Sequence, residues 1–465
     1  MAEASFRAGA AERDITPPMG VEMCGYGPYE KRVCTEVLDP LYARALWLEC
    51  GGQAAAMVTL DACMISGSMH EAVARELSET CGLERAHLLI AASHTHSGPA
   101  THFTVAWGKT DPGYLARLPG LLAGAVQDAR AAACPARLGS TRVRVDGVGV
   151  NREQFFAPVD TAAQLLRVDR LDGTPIAVAY NFGAHGVVRY PFTSRISADW
   201  PGLASATIRS CLPGVVPLFL QGPCANINGH QMSFNRHDPE TCQKVADMRV
   251  GATALRFTEQ VIPALTSLET DEPAPEIQAL WKVVDLPCVP PDRAELERIV
   301  RENQLVADRM TPEELRPLHE RLTDETAAEA EWRQARYLVD SAKLQLDLLA
   351  ASEPPYVCKA PLQVLRIGGA VHVGWPGEIF VELGTELRQR SPFPLTFVSS
   401  FANDTVGYIP TEAVYESKGK PNDFGRYPRE MTPLIYGRLP FRHDVGTVLL
   451  AETMAMLTDL HERGA

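Results

Sequence analysis

Short apolar runs alternate with longer helix-periodic stretches through the first 270 residues of the chain. This alternation is typical of an α/β domain, so the predicted fold class is α/β, a mixed sheet core with helices on its faces. Strands are predicted at 55–60, 87–92, 142–150, 164–168, 176–181 and 216–220. Helices are predicted at 69–80, 114–133, 202–211 and 240–265.

The rest of the chain divides into two further parts. An acidic, proline-marked stretch at 268–278 has the composition of a linker and places a boundary near residue 270. The charged, helix-periodic segment 291–349 predicts a helical insertion, two solvated helices that form a hairpin or a lid. Strands at 362–367, 370–373 and 395–399 and a helix at 445–460 then return to an α/β pattern. We therefore predict a catalytic core in two parts, 1–270 and 356–465, interrupted by a linker strand and helical insertion at 271–355.

Composition excludes several classes of function. The net charge of −13 would repel a phosphate backbone, so we expect no nucleic-acid partner. No apolar run reaches membrane-spanning length and the first residues contain no apolar signal core, so we expect a cytoplasmic protein with no membrane anchor. The 11 cysteines are scattered and never form a CxxC pair, as expected of reduced thiols.

The segment SHTHSGP, residues 93–99, follows the apolar run HLLIAA directly. Because strand side chains alternate, His94 and His96 would face the same side at the end of a strand. Open α/β sheets bind their ligands at this end of the strands. Neutral imidazole is the commonest metal ligand, so the pair indicates half of a zinc site.

Other polar segments also follow apolar runs. His185 lies after the apolar run PIAVAY. The loop 221–230 follows the apolar run VVPLFL and is rich in Gly and Asn. This loop either directs hydrogen-bond donors at an oxyanion or forms a plain turn. Asp199 begins a helix, where it either caps that helix or orients a ligand histidine. Glu378 is predicted at the start of a helix, where acidic residues are favoured in any case. Tyr408 lies in a loop, where such a ring normally packs against the core.

Together these segments resemble the neutral (non-lysosomal) ceramidase family, a group of zinc-dependent amidases and their bacterial relatives. The motifs that carry the resemblance stand in the family's order: AAERDITPP, TLD, SHTHSGP, GVNR, AHG, ISADWPG, PGE and GYIPT. The resemblance covers most of residues 5–460, whereas 270–355 match no part of the family that we can name.

The resemblance implies roles for particular residues. The zinc ligands that it implies are His94, His185, Glu378 and Tyr408. It also places His96 and Arg152 near the reacting carbonyl, where a cation or donor stabilises the developing negative charge.

Three departures from the family pattern shape the functional prediction. The ceramidases have a Gly-Asp-x-Ser-Pro loop whose serine orients or performs the attack, and here the matching residues are Asn226, Asn228 and Gly229. Asparagine is no hydroxyl nucleophile, so a zinc-bound water would take that role, with Asn228 as a catalytic neighbour. We also expect no signal peptide and, because no run of short alternating strands follows Tyr408, no C-terminal immunoglobulin-like domain such as the family has, which weakens the expectation of a lipid-facing role.

A basic segment near the C-terminus points to the substrate. Residues 418–442 contain six basic and two acidic side chains, a local charge of +4, with Tyr427 and Tyr436 among them and His443 following. The segment is either a solvated loop or the wall of a cleft that favours an anionic or polyhydroxylated small molecule. The predicted substrate-binding residues are Asn226, Asp199, Tyr436 and His443.

The leading hypothesis is a zinc-dependent hydrolase that cleaves an amide bond of a small polar substrate. One alternative is a zinc-dependent carbohydrate-active enzyme that cleaves a glycosidic, ester or C–O bond, since loops rather than scaffolds set the bond. Another is a catalytically silent binding protein, and a weaker one is a Cys224 nucleophile paired with His230. The sequence leaves homo-oligomer formation open.

Overall fold

The structure is a computed structural model that describes residues 6–154, 157, 159–229, 235–420 and 423–463. The strands are β1 Arg7–Asp14, β2 Glu36–Val37, β3 Tyr42–Cys50, β4 Gln53–Leu60, β5 Leu88–Ala92, β6 Cys134–Arg144, β7 Gly149–Asn151, β8 Ala162–Arg170, β9 Pro175–Phe182, β10 Arg195–Ile196, β11 Val216–Gln221, β12 Ile227–Gly229, β13 Ile277–Pro287, β14 Val357–Ile367, β15 Ala370–Gly374, β16 Glu378–Ile379, β17 Leu395–Ser399 and β18 Tyr408–Ile409. The α-helices are α1 Gly67–Cys81, α2 Pro112–Ala131, α3 Asp199–Cys211, α4 Pro239–Ser267, α5 Arg293–Ala307, α6 Leu318–Arg321, α7 Ala327–Ala351, α8 Val381–Arg390, α9 Glu412–Glu416, α10 Thr432–Ile435 and α11 Val445–Arg463.

Two mixed sheets form the centre of the molecule. The larger has the strand order β11-β9-β8-β6-β1-β3-β4-β5, and the smaller has the order β13-β14-β15-β17. In the larger sheet, β11 with β9 and β4 with β5 are parallel, and the pairs between them are antiparallel. The predicted α/β class with a mixed sheet is therefore confirmed.

The two sheets pack face to face, with helices on their outer surfaces. Leu46 and Leu89 of the larger sheet share an apolar cluster with Leu365 and Phe397 of the smaller one. The opposite face of the larger sheet packs against α1, α2, α3 and α4, and the outer face of the smaller sheet packs against α8 and α11. Because the central strands are buried on both faces, their sequences are continuous apolar runs rather than alternating ones.

One predicted strand was placed wrongly. The segment 142–150 is not a single strand, because β6 ends at Arg144 and β7 begins at Gly149. The chain turns between them at Gly147, whose φ of 72° lies in the region that favours glycine.

The predicted linker is packed against the core, since Leu138 of β6 and Glu272 exchange main-chain hydrogen bonds of 3.0 and 3.1 Å.

The predicted helical insertion after residue 290 is confirmed, and α5 packs along α7. Buried ion pairs attach it to the rest of the protein. Glu30 accepts from Arg236 at 2.6 Å and from Arg333 at 3.0 Å, and it lies 3.4 Å from the fully buried Arg321. Glu325 pairs with the same three arginines. Removing one partner of such a network leaves a buried charge uncompensated, so this junction is firmly specified.

Among the described helices, none combines the length and the apolar composition that crossing a membrane requires.

Candidate metal centre

Four chain-distant segments meet at the ends of the central strands. His94 follows β5 and His185 follows β9, while Glu378 and Tyr408 are the first residues of β16 and β18. The main-chain N–H of His96 donates to the carbonyl of Gly186 at 3.1 Å, which joins the two histidine loops. The strands β16 and β18 are parallel, and their register sets Glu378 opposite Tyr408.

The two histidines are oriented by main-chain carbonyls. Nδ1 of His94 donates to the Cys63 carbonyl at 2.7 Å, and Nδ1 of His185 donates to the Ile227 carbonyl at 2.9 Å. These bonds leave the lone pair of each ring on Nε2. The Nε2 atoms lie 3.7 Å and 3.2 Å from the same oxygen of Glu378, Oε2. Histidine ligands of metals are commonly held in this way, with the outer nitrogen fixed by a carbonyl or carboxylate.

Aromatic hydroxyls complete the inner group. Tyr436 donates to Oε1 of Glu378, which fixes the carboxylate with Oε2 toward the histidines. Tyr408 accepts a hydrogen bond of 2.7 Å from Nη2 of Arg152. Two imidazole nitrogens, a carboxylate and a phenol oxygen are donors that suit zinc and related divalent cations. Tyr436, predicted to contact substrate, therefore lies behind the carboxylate.

Burial controls the electrostatics of the group. Burial lowers the pKa of His94 to about 3 and the pKa of His185 well below its usual range. Burial likewise raises the pKa of the Tyr408 phenol well above its usual range. Both histidines are therefore neutral near pH 7, which is the form that binds a metal.

One side of the group is more open than the rest. His96, Arg152 and Asn228 are each partly exposed, whereas His94, His185 and Glu378 are buried. Nη1 of Arg152 donates to Oδ1 of Asn228 at 3.2 Å, and Nε2 of His96 lies 3.0 Å from Nε2 of His94. The three residues predicted to act in catalysis thus line the open side, adjacent to the predicted ligands.

Sequence analysis did not identify two residues that shape this side. The Tyr26 ring meets the His96 ring edge to face at a centroid distance of 5.1 Å. The buried Arg32 guanidinium donates to the carbonyl of His96 at 2.8 and 3.0 Å and stacks on Tyr26 at 4.8 Å. The signal available was Gly-Tyr-Gly at 25–27, where Tyr26 takes a positive φ of 70° between two glycines.

Three predicted substrate contacts lie elsewhere. The Asn226 side chain accepts from the main-chain N–H of Val381 at 3.0 Å and donates to Glu382 at 2.9 Å, so both of its polar ends are engaged at the start of α8. Asp199 is buried and accepts main-chain N–H groups of residues 188, 189 and 200, which is a local capping role. His443 is exposed beside α11, and no described contact joins it to the metal centre.

Acidic side chains pair with four of the six cations of the basic segment 418–442. The described partners are Glu430 for Lys418 and Arg426, Asp423 for Arg429, Asp444 for Arg442 and the Thr405 carbonyl for Arg438. Three carboxylates offset only part of the positive charge of the segment, so the choice between a solvated loop and a cleft wall stays a prediction.

The alternative cysteine nucleophile finds no support in the geometry of the described residues. Cys224 is fully buried, and burial raises the pKa of its thiol well above the usual range, so the reactive thiolate is disfavoured. Its predicted partner His230 lies outside the described residues.

A comparison with known protein families matches the N-terminal part of the chain. Residues 6–215 match the family described as neutral/alkaline non-lysosomal ceramidase, N-terminal. Two curated relatives are neutral ceramidases A and B of Dictyostelium discoideum. The first is 28% identical over 245 residues, 46% of this chain and 34% of that protein. The second is 27% identical over 226 residues, 44% of this chain and 31% of that protein. The match thus spans about a third of these relatives' lengths.

Two solved structures share the fold across almost all of this chain. Neutral ceramidase from Pseudomonas aeruginosa aligns with a TM-score of 0.72 and 18% identity, over 99% of this chain and 75% of that one. A structure described as ceramidase complexed with C2 aligns with a TM-score of 0.72 and 17% identity, over 99% and 76% of the two chains.

Proposed function

We propose that the chain is a zinc-dependent hydrolase that cleaves the amide bond of a small molecule, because residues 6–215 match the neutral/alkaline non-lysosomal ceramidase family. Its metal ligands in this proposal are His94, His185, Glu378 and Tyr408. His96 and Arg152 act on the reacting group from the open side.

One observation carries the metal assignment. The outer nitrogens of His94 and His185 are both fixed by carbonyls, so each Nε2 lone pair lies within 3.7 Å of Oε2 of Glu378, and the three atoms lie within 4.8 Å of one another. Bringing two nitrogen lone pairs and a carboxylate oxygen together in a buried site costs free energy, unless a proton or a cation lies between them. The donor set fits a divalent cation of the zinc type.

A divalent cation in this position supplies a Lewis acid for a carbonyl oxygen and lowers the pKa of a water toward neutrality. The chain's own contribution begins with His96. Nε2 of His94 has a single lone pair, for which His96 and the cation compete. With a cation held by His94, Nε2 of His96 would be free of that contact, and a neutral His96 beside the site would be placed to move a proton to or from the reacting group.

Arg152 stabilises negative charge in this proposal. Burial opposes its own charge, but the oxygens of Tyr408 and Glu378 raise the pKa of Arg152, so the guanidinium stays protonated. It donates to the Tyr408 hydroxyl and to the Ala225 carbonyl, at 2.7 and 2.5 Å. Its position favours the anionic state of the phenol and of an oxyanion forming nearby. Because asparagine stands where the family has a serine, the nucleophile that attacks the amide carbonyl in this proposal is a water molecule.

The proposal is tested by a substrate panel on purified protein with and without a chelator. The panel contains short-chain N-acyl sphingoid bases, N-acyl amino acids and acylated acidic sugars, and amine release is measured. We expect amine release from at least one N-acyl compound, lost on chelation and in His94→Ala, and retained in His319→Ala. Cleavage that releases a sugar but no amine, or amine release that resists chelation, would overturn it.

A further inference from the structure

His96 is held differently from the two histidines proposed as ligands. Nδ1 of His94 and Nδ1 of His185 each donate to a main-chain carbonyl, at 2.7 and 2.9 Å. Nδ1 of His96 is buried and has no hydrogen-bond partner among the described residues. Apart from the contact between its Nε2 and His94, the His96 ring is therefore oriented by packing and by its own main chain.

The loop 24–32 supplies that packing. Gly25 approaches so closely that a Cβ atom on it would lie 2.3 Å from Nδ1 of His96. The Tyr26 ring meets the His96 ring edge to face, with 5.1 Å between the centroids. The Tyr26 hydroxyl is buried without a hydrogen-bond partner among the described residues. Leaving a hydroxyl in this state costs free energy, so the position of the Tyr26 ring is not set by a bond of its own.

Arg32 fixes the main chain around the same ring. Its guanidinium is buried, and it donates to the His96 carbonyl from Nη1 at 3.0 Å and from Nη2 at 2.8 Å. It also donates to the carbonyls of Cys24 and Thr193, at 2.9 and 3.3 Å, and lies 4.8 Å from the centroid of the Tyr26 ring. One side chain thus joins the main chain of His96, the start of the loop and the ring that packs on His96.

The surroundings of Arg32 are not those of a structural ion pair. Among the described residues, the oxygen atoms that accept from Arg32 are all neutral carbonyls, and burial lowers its pKa. Arg321, which is equally buried, instead pairs with the carboxylates of Glu30 and Glu325. A buried charge without a paired carboxylate costs free energy. Here that charge serves to hold main-chain carbonyls in place.

The backbone of the loop is strained where it meets His96. Tyr26 has a φ of 70° and lies between Gly25 at 96° and Gly27 at 125°. A positive φ at a tyrosine persists only where the surrounding contacts overdetermine it, and such strain is concentrated at functional sites. The contacts here include the N–H of Gly25, which donates to the carbonyl of Trp107 at 3.0 Å. The strained residue is the one whose ring contacts His96.

We infer that Arg32 is a positioning residue for His96, acting through the His96 carbonyl and through the Tyr26 ring. The inference rests on the proposed function in one respect, the role of His96 in moving a proton. None of the described hydrogen bonds of Arg32 goes to a proposed metal ligand, so loss of its side chain should leave the metal centre intact.

The first test does not require activity. Chelator-treated protein labelled with ¹⁵N-histidine gives imidazole signals by NMR, and the His96 signal is the one that His96→Ala removes. We expect Arg32→Met to shift or broaden this signal, because the ring loses its main-chain restraint, and to leave the signals of His319 and His461 in place. Tyr26→Leu should have the same effect with Arg32 retained, so the test does not depend on one variant folding.

The second test is kinetic and uses a substrate from the panel. We expect Arg32→Met to lower kcat roughly 10- to 100-fold with KM and zinc content retained, since a displacement of about 1 Å at a reacting group can cost that much. Arg32→Lys should recover part of the rate, because an ammonium still donates to a carbonyl. In a His96→Ala background, Arg32→Met should change kcat by less than about twofold, because the two residues act as one unit. If the panel yields no rate, the proposed function fails while the imidazole signal still decides the role of Arg32.

Arg388→Met is the control for loss of stability alone. The Arg388 side chain is 8% exposed and pairs with Asp160, so its removal disturbs a buried cation away from the loop. It should leave the His96 signal unchanged. An unchanged signal in folded Arg32→Met and Tyr26→Leu would overturn the inference, as would the same displacement in Arg388→Met. A fall in kcat as large in the His96→Ala background as in the parent would also overturn it.

Discussion

Glu378 and Tyr408 are direct partners on two parallel strands of two residues each, β16 and β18. Parallel pairing places their side chains on the same face, so the register of this short pair determines the separation of a carboxylate and a phenol. The two residues lie 30 positions apart in the sequence, in loops that follow β15 and β17 of the smaller sheet. The smaller sheet thus contributes one half of the proposed metal centre, and the larger sheet contributes the other half through His94 and His185.

Tyr436→Phe tests the orientation of the carboxylate. The substitution removes the hydroxyl that donates to Oε1 of Glu378 and leaves the ring in place. Since partners behind a metal ligand commonly contribute 10- to 100-fold in affinity, we expect zinc affinity to fall by roughly that factor. Competition with a fluorescent chelator measures it. Tyr415→Phe is the matched control, because its hydroxyl meets the Phe441 carbonyl at 3.3 Å. Equal zinc affinity in parent and Tyr436→Phe would contradict this role.

Arg152→Met tests whether Arg152 stabilises the negative charge that develops on the reacting group. The variant keeps most of the side-chain volume and removes the donors to Tyr408 and Asn228. Loss of one donor to a developing oxyanion typically lowers kcat about 10²–10³-fold, and we expect an effect of this size with zinc content retained. Arg152→Lys should recover only part of the rate, because one ammonium does not replace the forked guanidinium. Steady-state kinetics on metal-loaded protein measure both. An unchanged kcat in Arg152→Met would remove Arg152 from the mechanism.

Asn226→Ala tests a helix start. Phe380, the N-cap residue of α8, makes no side-chain cap, and Asn226 supplies one from a distant loop by accepting the N–H of Val381. We expect a loss of about 1 to 2 kcal/mol in the free energy of unfolding, the usual effect of removing a cap. Urea unfolding measures it. Asn303→Ala, on the surface helix α5, should change the same quantity by less than about 0.5 kcal/mol. A loss of activity in Asn226→Ala with stability unchanged would instead favour the substrate contact predicted from the sequence.

His372 predicts a pH dependence that is independent of the metal. It is buried between the sheets, stacks on Phe397 at 4.2 Å, and neither ring nitrogen has a partner among the described residues. Burial lowers its pKa from 6.5 to about 3. As the pH falls, His372 therefore becomes protonated near pH 6.5 in the unfolded chain but only near pH 3 in the folded chain. This contribution to stability is fully present above pH 6.5 and is lost as the pH falls toward 3.

The measurement is urea unfolding of chelator-treated protein between pH 4 and 7. His372→Leu should flatten the curve by up to about 1.4 kcal/mol per pH unit relative to the parent. His443→Leu removes an exposed histidine and should leave the slope unchanged. Parallel curves for His372→Leu and the parent would show that the imidazole is protonated in the folded protein.

Local sequence patterns predicted the strands that are buried on both faces, because a fully buried strand requires a continuous apolar run. They failed for β1 and β3. The first, RAGAAERD, is rich in alanine and charge, which disfavour strands in isolation, and the second, YARALWLEC, contains mostly good helix formers. Pairing between the two, in register from Arg7 with Glu49 to Asp14 with Tyr42, overrides these preferences.

The site was predictable where its residues stand in recognisable motifs, and unpredictable where contacts join distant segments. Tyr436 lies 58 residues from the carboxylate that it orients. The carbonyls of Cys63 and Ile227, which fix the two histidine rings, carry no side-chain signal at all. The basic segment shows the same limit, because the Arg438 guanidinium donates to the carbonyl of Thr405, 33 positions away.

The account depends most on one bound cation, and metal analysis of the purified protein tests it most directly. We expect one zinc per chain by mass spectrometry of the metal content, with less than about a tenth of that in His94→Ala and in His185→Ala. His319→Ala and His461→Ala, which alter more exposed histidines, should retain the full equivalent. Full zinc content in both ligand variants, or none in the folded parent supplied with excess zinc, would contradict the proposed centre.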